Sequence, residues 1–186
     1  MSGWILVGLL VLVGLWLIMS YNTLVGLRQR TNQAFADIDV QLKQRHDLIP
    51  NIVETVKGYA THERSTLDAV IAARNSAMAA GGGTAQQAAA EGALTGALGK
   101  LFALAEAYPD LKANTTFQQL QTELSDVENK LAAARRFFNN AVSEYNAAIQ
   151  SFPAMLYASS MGFQHRDFFD LGESRPQLDV APQVKF

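Results

Sequence analysis

The N-terminal stretch of the chain is almost entirely apolar. Residues 4–19 read WILVGLLVLVGLWLIM, and no charged side chain occurs before Arg28. At 1.5 Å per residue, a helix over residues 3–21 spans about 28 Å, close to the thickness of a bilayer core. A helix also pairs its own backbone N–H and C=O groups, as a lone segment must in lipid. The pattern therefore predicts a membrane anchor over residues 1–23.

The predicted anchor has aromatic residues near both ends, where a ring can lie at the membrane–water boundary. The residues expected to span the membrane include Trp4, Ile5, Leu9, Leu12, Trp16 and Met19. A buried core helix and a cleaved signal peptide are the alternatives. A signal peptide has a charged start and a cleavage site with small residues, and neither is present in residues 1–22. A retained anchor is therefore the favoured interpretation.

Beyond the anchor, apolar residues recur at three- and four-residue steps, as on one face of a helix. They are Leu24, Leu27, Thr31, Phe35, Ile38, Leu42, Ile49, Ile52, Val56 and Tyr59. Most charged residues, Arg45 among them, are placed off this face. Pro50 removes one helical N–H, so the pattern predicts either a kink or a short break at residues 47–50. Helix is then expected to continue to about Ala79.

Glycines and prolines divide the rest of the chain. The run AAGGGTA at residues 79–85 ends the first helical region, and Thr84 is a candidate cap for the next helix. That second helix is predicted over residues 85–108. Pro109 stops it, and Asn114 or Thr115 can cap the helix that follows.

The most regular pattern runs from Phe117 to Phe152, with apolar residues every 3.5 positions on average. Its members are Phe117, Leu120, Leu124, Val127, Leu131, Ala134, Phe138, Ala141, Tyr145, Ala148 and Phe152. This period predicts a seam against other helices. Pro153 ends the helix, and a short helical piece is expected over residues 154–160. Residues 162–186 lack periodicity and are expected to pack on the bundle through phenylalanines.

These elements predict an all-α fold. A transmembrane helix continues into an antiparallel bundle of about four long helices over residues 24–161, followed by a short irregular tail. The 186 residues carry a formal net charge of −2 and no cysteine. The near-neutral balance argues against nucleic acid as a partner, and the lack of cysteine excludes a disulfide framework.

No motif for catalysis, cofactor binding or metal binding stands out. Residues 96–100, GALGK, resemble part of a phosphate-binding loop, but Leu94 and Leu101 replace the Gly and the Ser or Thr that the motif needs. His46, His62 and His165 have no metal-ligand spacing. We therefore expect no metal, no cofactor and no small-molecule substrate.

One polar stretch is a candidate partner surface on the last long helix. Its residues are Arg135, Arg136, Asn139, Asn140 and Asn146. The other interpretation is a solvated helix whose amides bond to neighbouring helices.

The orientation of the chain in the membrane is predicted from Arg28 and Arg30, which follow the span. The positive-inside rule then predicts that the C-terminal domain is cytoplasmic.

Several distinctive segments follow one another along the chain. They are residues 21–30, AFADIDVQLKQRHDLIPNIVETVKGYATHE at 34–63, EAYPDLKAN at 106–114, LQTELSDVENKLAAARRFFNNAVSEYN at 120–146, SFP at 151–153, residues 162–163 and the final APQVKF. Taken together and in this order, they resemble the LemA family of bacterial membrane-anchored proteins. The resemblance implies an N-terminal anchor in the bacterial inner membrane and a bundle of long helices. It supplies no activity and no catalytic residues.

The function expected from these patterns is a non-enzymatic scaffold. It would present a helical bundle beside the bilayer and bind further copies of itself or other membrane proteins. The anchor lacks the spacing of four that small residues need to pair membrane helices, because its glycines lie at positions 3, 8 and 14. Assembly is therefore expected through helices outside the membrane. A membrane-shaping protein is the alternative, and no residue set supports an enzyme.

Overall fold

Helices account for all the regular secondary structure in the part of the chain that the computed structural model describes, residues 2–80 and 83–170. The helices are α1 (Ser2–Lys57), α2 (Arg64–Ala79), α3 (Thr84–Ala105), α4 (Pro109–Lys112) and α5 (Thr115–Gln150). A short 3-10 helix follows at Ala154–Leu156. The predicted all-α class is confirmed. The predicted tail falls partly outside the described residues, since residues 171–186 are not among them.

The first helix continues through Pro50 instead of breaking there. It ends at Lys57, where the N–H groups of Tyr59 and Ala60 both donate to the carbonyl of Val56. Of the two alternatives predicted for residues 47–50, the short break is therefore excluded, and the first helical region is interrupted instead at residues 58–63. Gly58 has a low helix propensity, and the turn allows Ala60 to be buried.

The structure confirms one of two predicted helix caps and not the other. Asn114 accepts a hydrogen bond from the N–H of Phe117 at 2.9 Å, so its predicted capping role is confirmed. Thr84 is the first residue of α3, and Gly83 occupies the cap position without a side-chain bond. The predicted Thr84 cap is therefore wrong.

The described chain divides into two compact units. We call residues 38–80, 83–133 and 168–170 the bundle unit. Its helices α2 and α3 pack together along their lengths, and its apolar core draws on four long helical segments. The core side chains include Ile49, Ile52, Val56, Leu67, Val70, Leu94, Leu98, Leu101, Leu111, Phe117 and Leu124. The predicted helical bundle is confirmed in this unit.

We call residues 2–37 and 134–167 the anchor unit. It pairs the first part of α1 with the last part of α5 and the turns that follow. Its core is formed by Leu24, Tyr145, Ala154, Ala158 and Phe163. The Phe35 and Phe138 rings lie 5.5 Å apart in the same unit. The apolar pattern predicted for α5 holds from Phe117 to Ala148, because every residue of the pattern in this range is buried or half-buried.

Phe152 departs from that pattern, since 66% of its surface is exposed. It lies beyond the end of α5 at Gln150, so the helical period no longer directs its side chain towards the apolar face.

Candidate functional site

The N-terminal part of α1 is an exposed apolar surface. Trp4 is 84% exposed, and large apolar side chains remain exposed along the helix as far as Tyr21. The predicted membrane-spanning residues Trp4, Ile5, Leu9, Leu12, Trp16 and Met19 all lie on this surface. By length and composition, α1 can cross a membrane. Apolar surfaces of this extent mark interaction sites, and direct lipid contact by these six residues stays a prediction.

A second exposed apolar surface follows α5 in the anchor unit. Phe152, Met155, Leu156 and Met161 are all exposed. The Phe152 ring lies 5.5 Å from the Trp16 ring on α1. The hydroxyl of Tyr157 donates to Oγ of Ser20 at 2.8 Å. The exposed turn is thus fixed beside the apolar part of α1.

The bundle unit contains a buried cluster of charges around Arg45, which is only 1% exposed. Its NH1 nitrogen lies 2.8 Å from Oε2 of Glu91, and its NH2 nitrogen donates to Oγ1 of Thr95 at 2.7 Å. Its Nε nitrogen lies 2.7 Å from Oε1 of Glu128. One guanidinium therefore joins α1 to α3 and to α5.

Glu91 has a second partner in the same cluster. Its Oε1 atom lies 2.8 Å from Nε2 of His46, while Oε2 faces Arg45. Thr95 donates back to the Glu91 carbonyl at 3.0 Å. Both carboxylate oxygens are paired, so the interior charge is compensated. The cluster is suited to hold helices together, and no group of metal-ligating side chains occurs among the described residues.

Sequence reasoning missed this cluster, although a signal was present. Arg45 lies three residues after Leu42 and four before Ile49, so it occupies a position of the apolar face. Glu91 lies three residues after Ala88 and three before Leu94, in the same way. The placement of Arg45 off the buried face was wrong. A charge at a core position of each of two helices indicates a buried ion pair.

The residues of the predicted partner surface do not share one environment. Arg136 and Asn140 are exposed, whereas Arg135 and Asn139 are half-buried. Asn146 is buried, and its side chain donates to the Arg166 carbonyl at 2.9 Å and accepts from the Arg166 N–H at 3.0 Å. Asn146 thus fixes the segment after α5. Whether the surface binds a partner stays a prediction.

An exposed aromatic residue lies within that surface. Phe137 is 43% exposed, and the Arg30 guanidinium lies 5.5 Å from its ring centre. Arg30 also pairs with Glu144 at 2.8 Å. The exposed part of α5 therefore presents an aromatic ring with charged and amide groups beside it.

The acidity of Tyr145 in the anchor unit is shifted by its surroundings. Burial raises its pKa, and the positive charges of Arg166 and Arg28 lower the pKa in part. The Arg166 guanidinium lies 5.8 Å from the Tyr145 ring centre, and its NH1 donates to Oγ1 of Thr31 at 2.7 Å. These contacts fix the chain after α5 against α1.

An exposed apolar helix joined to a helical bundle defines a membrane-associated, all-helical protein. A model of the LemA family matches residues 34–186, most of the chain. The protein therefore belongs to the LemA family, as the resemblance of its segments predicted.

Similar proteins include two named magnetosome protein MamQ 1 and MamQ 2 from Paramagnetospirillum magneticum. Each is 25% identical over 193 residues, covering 90% of this chain and 71% of the relative. A protein named LemA from Metamycoplasma hominis is 23% identical over 161 residues, covering 86% of this chain and 74% of the relative.

Proposed function

We propose that this LemA-family protein is a single-pass, membrane-anchored scaffold that associates through its helices outside the bilayer. One observation carries the proposal. The helix α1 has an exposed apolar part before Leu24 and contributes Ile49 and Ile52 to the bundle core. The same helix is therefore suited both to lipid and to a folded domain. The proposed action is surface matching without chemistry.

The exposed part of α5 is the proposed contact surface. Arg136, Phe137 and Asn140 lie together on it and are exposed. Aromatic and arginine side chains are enriched at protein interfaces. Anchoring also confines the copies to a membrane, which raises their effective concentration. A weak contact through this surface would then be sufficient for assembly.

The mass of the full-length protein in detergent, corrected for bound detergent, tests self-association. We expect more than one copy per particle for the natural sequence and a smaller mass for an Arg136→Glu, Asn140→Ala double variant. The matched control is Arg64→Glu, Asn75→Ala, which changes the same residue types at exposed positions of α2. A monomeric natural protein that yields no crosslinked partner would contradict the proposal.

We also propose that the protein lies in the bacterial inner membrane with its C-terminal domain in the cytoplasm. Arg28 and Arg30 after the apolar part of α1 support this orientation through the positive-inside rule. The organisms of the similar proteins, which are bacteria, support a bacterial membrane.

Membrane shaping is the alternative proposal. The continuity of α1 favours it, because Ser2–Lys57 forms one helix without a break after its apolar part. Crowded bundles could then transmit lateral pressure to the lipid. Imaging of vesicles that carry the full-length protein tests this alternative, and an unchanged vesicle shape at high coverage would reject it.

A further inference from the structure

We propose that residues 152–161 form a second membrane contact, which lies at the boundary between headgroups and acyl chains beside α1. We call these residues the interfacial segment. The inference rests on the proposed anchoring of α1. The occupant of this exposed surface is the bilayer. The protein would then be attached at two points, through the spanning helix and through the shallow interfacial segment.

The depth of the interfacial segment follows from its contact with Trp16. The exposed apolar part of α1, residues 4–21, spans about 27 Å, slightly less than a bilayer core of about 30 Å. The anchor therefore needs its whole length to cross the core. Trp16 lies about 8 Å along the axis from Tyr21, and the Phe152 ring is 5.5 Å from the Trp16 ring. A spanning α1 thus brings Phe152 below the headgroups.

The apolar part of α1 and the interfacial segment beside it both lack charged residues. No charged residue occurs before Arg28 on α1, and none occurs over residues 145–164. The first charges on either side are already in contact with each other or with rings. Arg30 pairs with Glu144, and the Arg28 guanidinium lies 4.9 Å from the Phe163 ring centre. These charges mark the edge of the part that can enter lipid.

Several polar groups of the interfacial segment are paired with neighbouring groups of the anchor unit. Backbone N–H groups that donate to nearby carbonyls are those of Met155, Leu156, Tyr157, Ala158 and Met161. The Tyr157 hydroxyl donates to Ser20, and Oγ of Ser160 donates to the Tyr157 carbonyl. Such pairing lowers the cost of leaving water.

The bilayer is favoured over a second copy because the exposed surface is continuous with the proposed spanning surface. Phe152 meets Trp16, so lipid around α1 also reaches the interfacial segment. The segment consists of one short 3-10 helix and turns and not of a long helix, which excludes it from the centre of the core. A depth of about 5–10 Å, typical of interfacial apolar faces, agrees with the position of Trp16.

Single-cysteine labelling tests this inference, because the natural chain has no cysteine to remove. Met155→Cys, Met78→Cys and Leu12→Cys variants of the full-length protein are labelled with an environment-sensitive fluorophore in phosphatidylcholine vesicles. Met78 on α2 is the matched control, because it is 57% exposed and Met155 is 59% exposed. Leu12 reports whether α1 is in the membrane. Lipids with a nitroxide near the top or the end of an acyl chain serve as quenchers.

We expect the shallow nitroxide to reduce the Met155 emission several-fold more than the Met78 emission. The deep nitroxide should act most strongly on Leu12. If Leu12 is quenched and Met155 is quenched no more than Met78, the inference is overturned while the anchor stands. Cysteine crosslinking between Met155→Cys copies would then identify a second copy as the occupant. If Leu12 is not quenched, the proposed anchoring itself fails.

Discussion

Arg45 illustrates what a buried charge requires at the scale of single residues. Its guanidinium is enclosed among Glu91, Thr95 and Glu128. Removing a guanidinium from water is expensive, and the structure compensates for this with hydrogen bonds from NH1 and NH2 and with the Glu128 carboxylate close to Nε. The stability of the bundle unit should therefore depend strongly on each of these partners. Glu91 is more buried than Glu128.

Glu91→Ala should lower the free energy of unfolding by about 3–5 kcal/mol, because it leaves the Arg45 charge buried and partly unpaired. Chemical unfolding of the full-length protein in detergent, followed by circular dichroism, measures the change. Glu54→Ala is the control, because it removes an exposed pair with Lys57 and should cost less than about 1 kcal/mol. An Arg45→Met, Glu91→Leu double variant should regain most of the loss. Equal effects of Glu91→Ala and Glu54→Ala would contradict this account.

Tyr145 should make stability depend on alkaline pH. Burial raises its pKa in the folded state, so the unfolded chain loses the phenol proton first. The unfolding free energy should therefore fall as the pH rises above about 10, the usual pKa of tyrosine. Unfolding curves at successive pH values, compared with those of Tyr145→Phe, isolate this effect. The variant should show a shallower decline, and parallel declines would exclude a role for this phenol.

At the scale of elements, α1 shows how a helix can pass through a proline. Pro50 has no N–H, so it cannot donate to the carbonyl of His46 four residues earlier. Nε of Arg74 on α2 donates to that carbonyl instead, at 2.7 Å. The second helix thus supplies the hydrogen bond that the first one lacks.

A double-mutant cycle tests this substitution of partners. Arg74→Met should destabilise the natural protein by about 1–3 kcal/mol, since it leaves the His46 carbonyl without its donor. In a Pro50→Ala background the same change should have a smaller effect, because residue 50 then supplies an N–H. Thermal unfolding of the four proteins gives the coupling energy. An identical effect of Arg74→Met in both backgrounds would contradict the proposed role.

The helices were predictable from the sequence because their apolar residues repeat at three- and four-residue steps, as from Phe117 to Tyr145. The end of α1 was not, because Pro50 is the stronger breaker by local propensity and its missing hydrogen bond is supplied from α2. The cluster around Arg45 was also missed. Periodicity shows where a residue faces, but the partners at positions 91 and 128 are set by tertiary packing.

At the scale of the whole molecule, the family and the exposed apolar helix agree on a membrane-associated protein. The predicted division into an anchor at 1–23, a bundle at 24–161 and a tail at 162–186 stays a prediction. The side of the membrane that carries the bundle unit is likewise a prediction.

Cysteine accessibility in spheroplasts measures the orientation. For a cytoplasmic bundle unit, Met78→Cys should react with a membrane-impermeant maleimide only after lysis, because the reagent cannot cross the bilayer. Ser2→Cys, before the apolar stretch, should react without lysis and serves as the opposite control. The reverse order of reaction would place the bundle unit outside the cytoplasm and refute the orientation drawn from Arg28 and Arg30.

The pairing of Arg45 with Glu91 also has a consequence for how relatives diverge. Loss of either charge alone leaves the other buried without its closest opposite charge in the interior, so a single substitution passes through a less stable intermediate. Positions 45 and 91 are therefore expected to covary among homologues, either both charged or both apolar. A family alignment in which the two positions vary independently would show that the interior of the bundle tolerates an orphaned ion.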